Sequence, residues 1–435
     1  MTAAGIVSEA RARSGASRTS AAPPRENVVP FWCLMFFTFV LFIAPQNIFP
    51  SLEPLRLAAT SAGLAAVAYV LSRLMNRRPV TVVTPEVRLV LWFALAAVVS
   101  IPFSLSPGGS LEFFLSTFVK SVIVFFLIAN LLETMRRLKL LVASIVLYGF
   151  IISATALRNF ATEHTMSREP GRIWGYANQL ADNAVDLALT LNVILALTIG
   201  LYFVARRRLV KVLLLAGMGL AVAGVIVSFS RGGFLGLTLI VAVLLARWVR
   251  ARGPVALLWA SALVVVGIFL APDGYADRLY SLFDWDRDRA GSIQSRSQQM
   301  QVAFRSMLEN PLIGAGLGME GLVYVEKGFK GEHVTHSVFL RVGADLGLPG
   351  LLVYVLLFVQ SLRGLRQTQR RLRPVPEARE VIAIASGLEL AIYSFLVGAS
   401  FLPISYGFLL FYLAGLAAAI RVIGARLAVL VSPTR

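Results

Sequence analysis

Three stretches of this sequence hold residues fit for chemistry on a charged substrate. The first is Val227-Ser228-Phe229-Ser230-Arg231-Gly232-Gly233, and the second is Ser295-Arg296-Ser297. The third runs Glu332-His333-Val334-Thr335-His336-Ser337-Val338-Phe339-Leu340-Arg341, with Asp345 nine residues after His336. A further arginine, Arg172, sits in Gly171-Arg172-Ile173-Trp174-Gly175. Arginine forks grip phosphate oxygens in pairs and stay charged at any relevant pH. A histidine, which titrates near neutrality, suits a general base toward a hydroxyl. Several arginines and one such histidine therefore point to transfer from a phosphate or pyrophosphate. Each also has a plainer reading. An arginine at a membrane edge snorkels or pairs with an acid such as Asp182, and a loop histidine is commonly just hydrogen-bonded.

The remaining polar groups argue less. Asp284-Trp285-Asp286 has the Asp-x-Asp form of a metal site, but Arg287 and Arg289 can pair with it. Asp182 and Asp186 enter an apolar segment, while Lys120 and Glu389 lie inside others; structural pairing is their expected role. Cys33 is the single cysteine, so no internal disulfide and no cysteine-based metal or redox site can form. Three histidines are too few for a zinc cage without carboxylates. No metal and no cofactor are expected.

What must position these residues is a membrane bundle. The chain has 435 residues, of which 57% are hydrophobic and 15% charged. Soluble domains run at about 45–50% and about 25%. The apolar runs are long and nearly unbroken, unlike the short alternating segments of a β-barrel. An all-α integral membrane protein is predicted, with about twelve spans at 29–47, 55–74, 88–105, 111–132, 138–157, 184–204, 209–229, 232–250, 254–272, 346–363, 381–399 and 402–423. No cleavable signal peptide is visible, so the first span is expected to serve as its own uncleaved signal.

Charge supports the count. The net +18 is compatible with nucleic acid, but the basic residues cluster at span ends, so no nucleic-acid partner is expected. With residues 1–27 as a disordered cytoplasmic tail and the spans alternating, the cytoplasmic pieces hold 27 of the 41 basic residues but six of the 23 acids. Residues 28–272 then form spans one to nine, 273–337 a large periplasmic loop, 338–426 spans ten to twelve and 427–435 a second tail. Arg172, Arg231, Arg296 and His336 all fall on the outer side. Within the large loop, Met300, Phe304, Met307 and Leu308 keep helical spacing, Ser295 can cap the start and Asn310-Pro311 stops the run. Its apolar face is expected to pack on the bundle or lie among lipid headgroups. No internal repeat is seen, and the link between spans six and seven is short, which argues against a carrier of two equal halves.

Three pieces in this order resemble the O-antigen ligase / O-antigen polymerase superfamily of bacterial envelope glycosyltransferases over roughly 220–350. They are Ser230-Arg231-Gly232-Gly233, then Ser295-Arg296 followed by Asn310-Pro311-Leu312-Ile313-Gly314-Ala315-Gly316-Leu317-Gly318, then His336-Ser337 with Leu340 and Asp345-Leu346-Gly347. Upstream, Arg172, Gly175, Asn178 and Leu180-Ala181 are similar to a further element of that family. The family usually has Asn after the histidine and Glu before Leu-Gly; here those positions are Ser337 and Asp345. The resemblance implies a GT-C-like helical fold with a helical periplasmic cap, in the bacterial inner membrane. It implies a glycan donor linked to undecaprenyl pyrophosphate, a lipid A–core acceptor, and neither metal nor nucleotide. His336 would be the base, Arg231, Arg296 and Arg172 would hold the pyrophosphate, and Asn178, Asp345 and Arg341 would support them. An O-antigen or exopolysaccharide polymerase of the same superfamily is the nearest alternative, and ligation to protein a third branch. A lipid-linked glycan flippase would instead need charges spread through many spans.

Overall fold

A computed structural model describes residues 27–164, 173–252, 292–329 and 333–431. Most of the expected N-terminal tail, the ninth predicted span at 254–272, Arg172, Glu332, Asp284 and Asp286 lie outside them. The described chain is helical, with no β-strand among the described residues. In chain order the main helices are α1 Val28–Ile43, α2 Leu57–Met75, α3 Pro85–Ser100, α4 Pro107–Leu131, α5 Met135–Ala161, α6 Ala184–Val204, α7 Arg208–Val227 and α8 Arg231–Arg252. There follow α9 Ser292–Glu309, α10 Glu320–Glu326, α11 Val338–Leu372, α12 Arg379–Ala399 and α13 Phe408–Val431. Among the described residues, ten helical segments are long and apolar enough to cross a membrane, and α1 is a shorter apolar helix. Each predicted span except the ninth thus has its helix, and the protein is an all-α integral membrane protein.

The core follows from which helices are apolar all round. α6 buries nearly every residue from Leu187 to Thr198, as expected for a helix with no polar face. It packs closely on α12 because Gly200 and Gly387 face each other: a Cβ on Gly387 would come within 2.8 Å of the Ala196 carbonyl oxygen. Such close approach is how helices associate in lipid, where apolar burial gives no advantage over the hydrocarbon itself.

The two ends of the bundle differ in chemistry. One end holds the basic clusters and most of the ion pairs. Glu380 pairs with Lys139 at 2.7 Å, and Glu389 takes Arg247 at 3.0 Å and Arg366 at 2.8 Å. Glu389 thus has two arginine partners, a structural pairing of the kind expected for it. Glu86 is fully buried and accepts Nε and Nη2 of Arg421. At the opposite end lie the connections after α1, α3, α5, α7 and α12, joined by α9 and α10. This capped end carries the candidate site.

α9 contains the predicted run and ends at Glu309, before Asn310-Pro311, but it starts at Ser292, so Ser295 lies inside it and does not cap it, and the predicted apolar face is split. Gln299, Ala303, Ser306 and Met307 are buried against the protein, whereas Met300, Phe304 and Leu308 are exposed. Small residues face inward because α11 comes close on that side: a Cβ on Gly343 would touch Met307 Sδ at 2.4 Å. Met300, Phe304 and Leu308 are left on the outer surface.

α11 is broken at Gly347, whose φ of 65° lies in the left-handed region. The break follows from Pro349. Proline lacks the N–H that Asp345 O would accept in a continuous helix. The glycine-rich segment 314–318 supplies the missing donors: Gly316 N–H reaches Asp345 O at 2.9 Å and Ala315 N–H reaches Ala344 O at 2.7 Å. Leu348 N–H turns instead to Pro311 O at 2.7 Å. The other side of this segment is pinned to α3 and α4. Leu105 N–H donates to Ala315 O, Leu317 N–H to Ser100 Oγ, and Ser110 Oγ to Leu317 O. Gly316 has φ 101° and its missing Cβ would lie 2.2 Å from Ser104, so only glycine fits there.

Candidate active site

The first element of the site is the α7–α8 turn. Ser230 Oγ accepts Gly233 N–H at 3.1 Å and so caps α8, which starts at Arg231. The turn itself is made by Phe229, at φ 49°, and not by Gly232 or Gly233, which are helical. The two glycines serve close packing. A Cβ on Gly233 would strike Ala188 of α6 at 2.3 Å, and one on Gly232 would touch Phe401 at 3.4 Å. Arg231 is half-buried at this junction.

The second element is the short half of α11 and the strand-like segment before it. His336 is half-buried and lies two residues ahead of Val338, where α11 begins. Its neighbour Thr335 is fully buried. Thr335 N–H donates to Glu320 Oε1 at 2.8 Å, and its hydroxyl bonds to that of Tyr324. Tyr324 OH also donates to Gln299 O at 2.9 Å and lies 3.2 Å from Glu320 Oε1. Gln299 is three residues along α9 from Arg296, so the Tyr324 bridge ties the Arg296 turn to the segment that carries His336.

Behind this lies a buried charged cluster. Asp345 is fully buried and accepts Glu320 N–H at 2.8 Å and Tyr406 OH at 3.0 Å. Arg341 Nε stands 3.6 Å from Glu320 Oε2 and 3.9 Å from Asp345 Oδ2, and its Nη1 donates to Pro403 O. The guanidinium also lies over the Tyr406 ring, 5.9 Å from its centre. Burial raises the Tyr406 hydroxyl well above the ordinary phenol range, and burial together with the Glu320 charge does the same to Tyr324. Both remain neutral donors.

The α12–α13 turn joins the elements. Phe401 meets α8 beside Arg231, Pro403 O takes Arg341, and Ser405 Oγ donates to Val338 O at 3.1 Å. This turn therefore links the start of α8 beside Arg231 with the start of α11 after His336 and with Arg341 and Asp345, while Arg296 is tied to the same segment through Gln299, Tyr324 and Thr335. Asn178 serves a neighbouring junction: its Nδ2 donates to Phe42 O at 2.5 Å and its Oδ1 accepts Leu180 N–H at 2.9 Å, tying the entry of α6 to the end of α1. Glu320, Tyr324, Thr335 and Tyr406 carry no signal in the sequence beyond the spacing of Glu320 and Tyr324, one helical turn apart.

Close by, a cavity of about 110 Å³ is lined by Thr117, Ser121, Gln179, Asp186 and Thr190 among others. Thr117 comes from a π turn, Phe114–Phe118, that interrupts α4. Asp186 Oδ2 accepts Asn183 Nδ2 at 2.6 Å, and Oδ1 is buried without a hydrogen bond. Among the described residues, no three His, Cys, Asp or Glu side chains gather closely enough to hold a metal ion.

The fold defines a class: a multi-pass helical membrane protein with a buried charged cluster of Glu320, Arg341 and Asp345 at one end of the bundle. The family model described as O-Antigen ligase matches residues 216–355, from within α7 to beyond the break in α11. That stretch, less than half of the chain, is similar to the O-antigen ligase/polymerase superfamily, and the whole is a multi-pass helical membrane protein. The matched stretch contains Arg231, Arg296, Glu320, His336, Arg341 and Asp345 in one continuous piece. No curated protein matches the chain significantly.

Proposed function

We propose that this protein is an O-antigen ligase of the bacterial inner membrane, with its capped end in the periplasm. It transfers a glycan from undecaprenyl pyrophosphate to a hydroxyl of lipid A–core. A His336 ring nitrogen takes the proton from that hydroxyl as the oxygen attacks the anomeric carbon of the donor. The bond from that carbon to the pyrophosphate oxygen breaks, and undecaprenyl pyrophosphate leaves with the electron pair. Inversion at the carbon is the expected outcome. Arg231 and Arg296, with Arg172, hold the pyrophosphate and neutralise the charge that grows on it. A pyrophosphate leaves readily, so the step needs no paired carboxylic acid.

The observation that supports this reading is a pair of links: the Phe401–Ser405 turn touches both the start of α8 beside Arg231 and the start of α11 after His336, and Tyr324 bridges α9, one helical turn from Arg296, to Thr335 beside His336. The test is the lipopolysaccharide profile of a strain lacking the protein. Bare lipid A–core, with long O-chains retained on the lipid carrier, is expected. Core bearing a single repeat would make the protein a polymerase, and an unchanged profile would sink both. With purified protein, His336→Ala should abolish transfer while the donor still binds, and a chelator should leave the rate unchanged.

A further inference from the structure

Glu320 has no role in the chemistry above, yet it is 1% exposed among residues of a polar cap. A buried carboxylate is costly unless its neighbours satisfy it. Its neighbours are the site. Oε1 accepts Thr335 N–H at 2.8 Å and faces the Tyr324 hydroxyl at 3.2 Å. Oε2 makes no hydrogen bond and faces Arg341 Nε, which makes none either, at 3.6 Å. The Glu320 backbone N–H is held by Asp345 across the break in α11. One residue therefore touches the chain immediately before His336, the bridge to α9 and the buried cluster of α11.

We propose that Glu320 is a positioning residue for transfer: through Oε1 it fixes the Thr335 backbone, and with it the placement of His336 relative to the arginines. Tyr324 is the second half of the same clasp, since its hydroxyl joins Glu320, Thr335 and Gln299 O. The inference rests on His336 being the base. A displacement of the base by about 1 Å can cost about 100-fold in rate. The oxygen is the essential feature, and the charge is not. A carboxamide in its place keeps an acceptor for the Thr335 N–H.

The experiment is glycan transfer by full-length protein in proteoliposomes, with rates taken per folded enzyme and kcat and KM for the lipid-linked donor separated. Glu320→Ala should lower kcat by about 100-fold and leave KM within about threefold. Glu320→Gln should restore kcat to at least about a third of the unaltered enzyme. Tyr324→Phe, which removes a hydroxyl and no charge, should lower kcat by about tenfold with KM unchanged, and it decides the matter if the alanine variant does not fold. A purely structural role predicts less folded protein in every variant and a normal kcat in what remains, which would overturn the proposal. Glu320→Gln as inactive as Glu320→Ala would overturn it too, because the charge facing Arg341 would then be what matters. His336→Ala is run alongside: if it is active, the reading of the base fails first, whereas an inactive His336→Ala beside a fully active Glu320→Ala defeats the Glu320 proposal alone.

Discussion

Arg231 heads α8 at a junction where three helices and a turn meet, and lysine can reproduce its charge but not its planar fork. Arg231→Lys should therefore lower kcat/KM by about 10- to 100-fold, the equivalent of one or two charge-assisted hydrogen bonds. A transfer assay with purified protein measures this, and near-normal rates would remove Arg231 from the pyrophosphate site. Arg231, Arg296 and His336 stood out in the sequence because each sits where an ionisable side chain has a cost, on the wrong side of the charge bias or at the lip of an apolar segment. Glu320 did not stand out. A glutamate in a polar loop reads as solvated, and nothing in its neighbourhood along the chain announces that Thr335 and Tyr324 will bury it. At the α7–α8 junction Phe229 takes the left-handed conformation, and the two glycines after Arg231 make room for Ala188 and Phe401.

The interrupted helix α11 gathers most of the site, and its geometry can be tested by adding a single methyl group. At Gly347 a Cβ would lie 2.6 Å from Pro311 O, in a conformation that L-residues avoid. Gly347→Ala should cost about 1–3 kcal/mol from backbone strain alone, and more from the clash. Gly63→Ala is the control: it is helical, with open space around its Cβ, and should be neutral or stabilising by up to about 1 kcal/mol. Thermal unfolding in one detergent compares the two. If Gly347→Ala proved as stable as Gly63→Ala, the break would be adjustable and not fixed. The sequence placed span ten at 346–363 because the apolar run begins there. It did not separate the short helix 338–346 from the long one, since only the donors arriving from residues 315 and 316 make that break affordable. On α9 the periodicity left both directions open, toward the bundle or toward lipid headgroups, and it did not separate Met307, which turns inward, from Met300, Phe304 and Leu308, which turn outward.

The molecule as a whole was the most legible level, because lipid permits few arrangements and charge bias chooses among them. What the pattern left open was which distant charges would meet. Glu86 and Arg421 are 335 residues apart, and their pairing depends on α3 and α13 lying side by side. Arg421→Met would strand a fully buried carboxylate, at a cost of about 3–5 kcal/mol. Adding Glu86→Gln to that variant should recover most of the loss. Chemical unfolding of the single and double variants gives the answer; an equal loss in both would mean that the pair itself contributes little. A similar long reach governs the site. Tyr406 and Pro403, which close the cluster around Asp345 and Arg341, follow those residues by 61 and 62 positions. During synthesis the candidate site therefore stays open until Pro403 and Tyr406 have been made. A chain stopped at residue 399 would already hold every proposed catalytic residue, yet with its acidic pocket unsealed. Such a product should be cleared rapidly by membrane proteases, while the complete chain persists. Quality control would then read formation of the α12–α13 hairpin as readiness of the site.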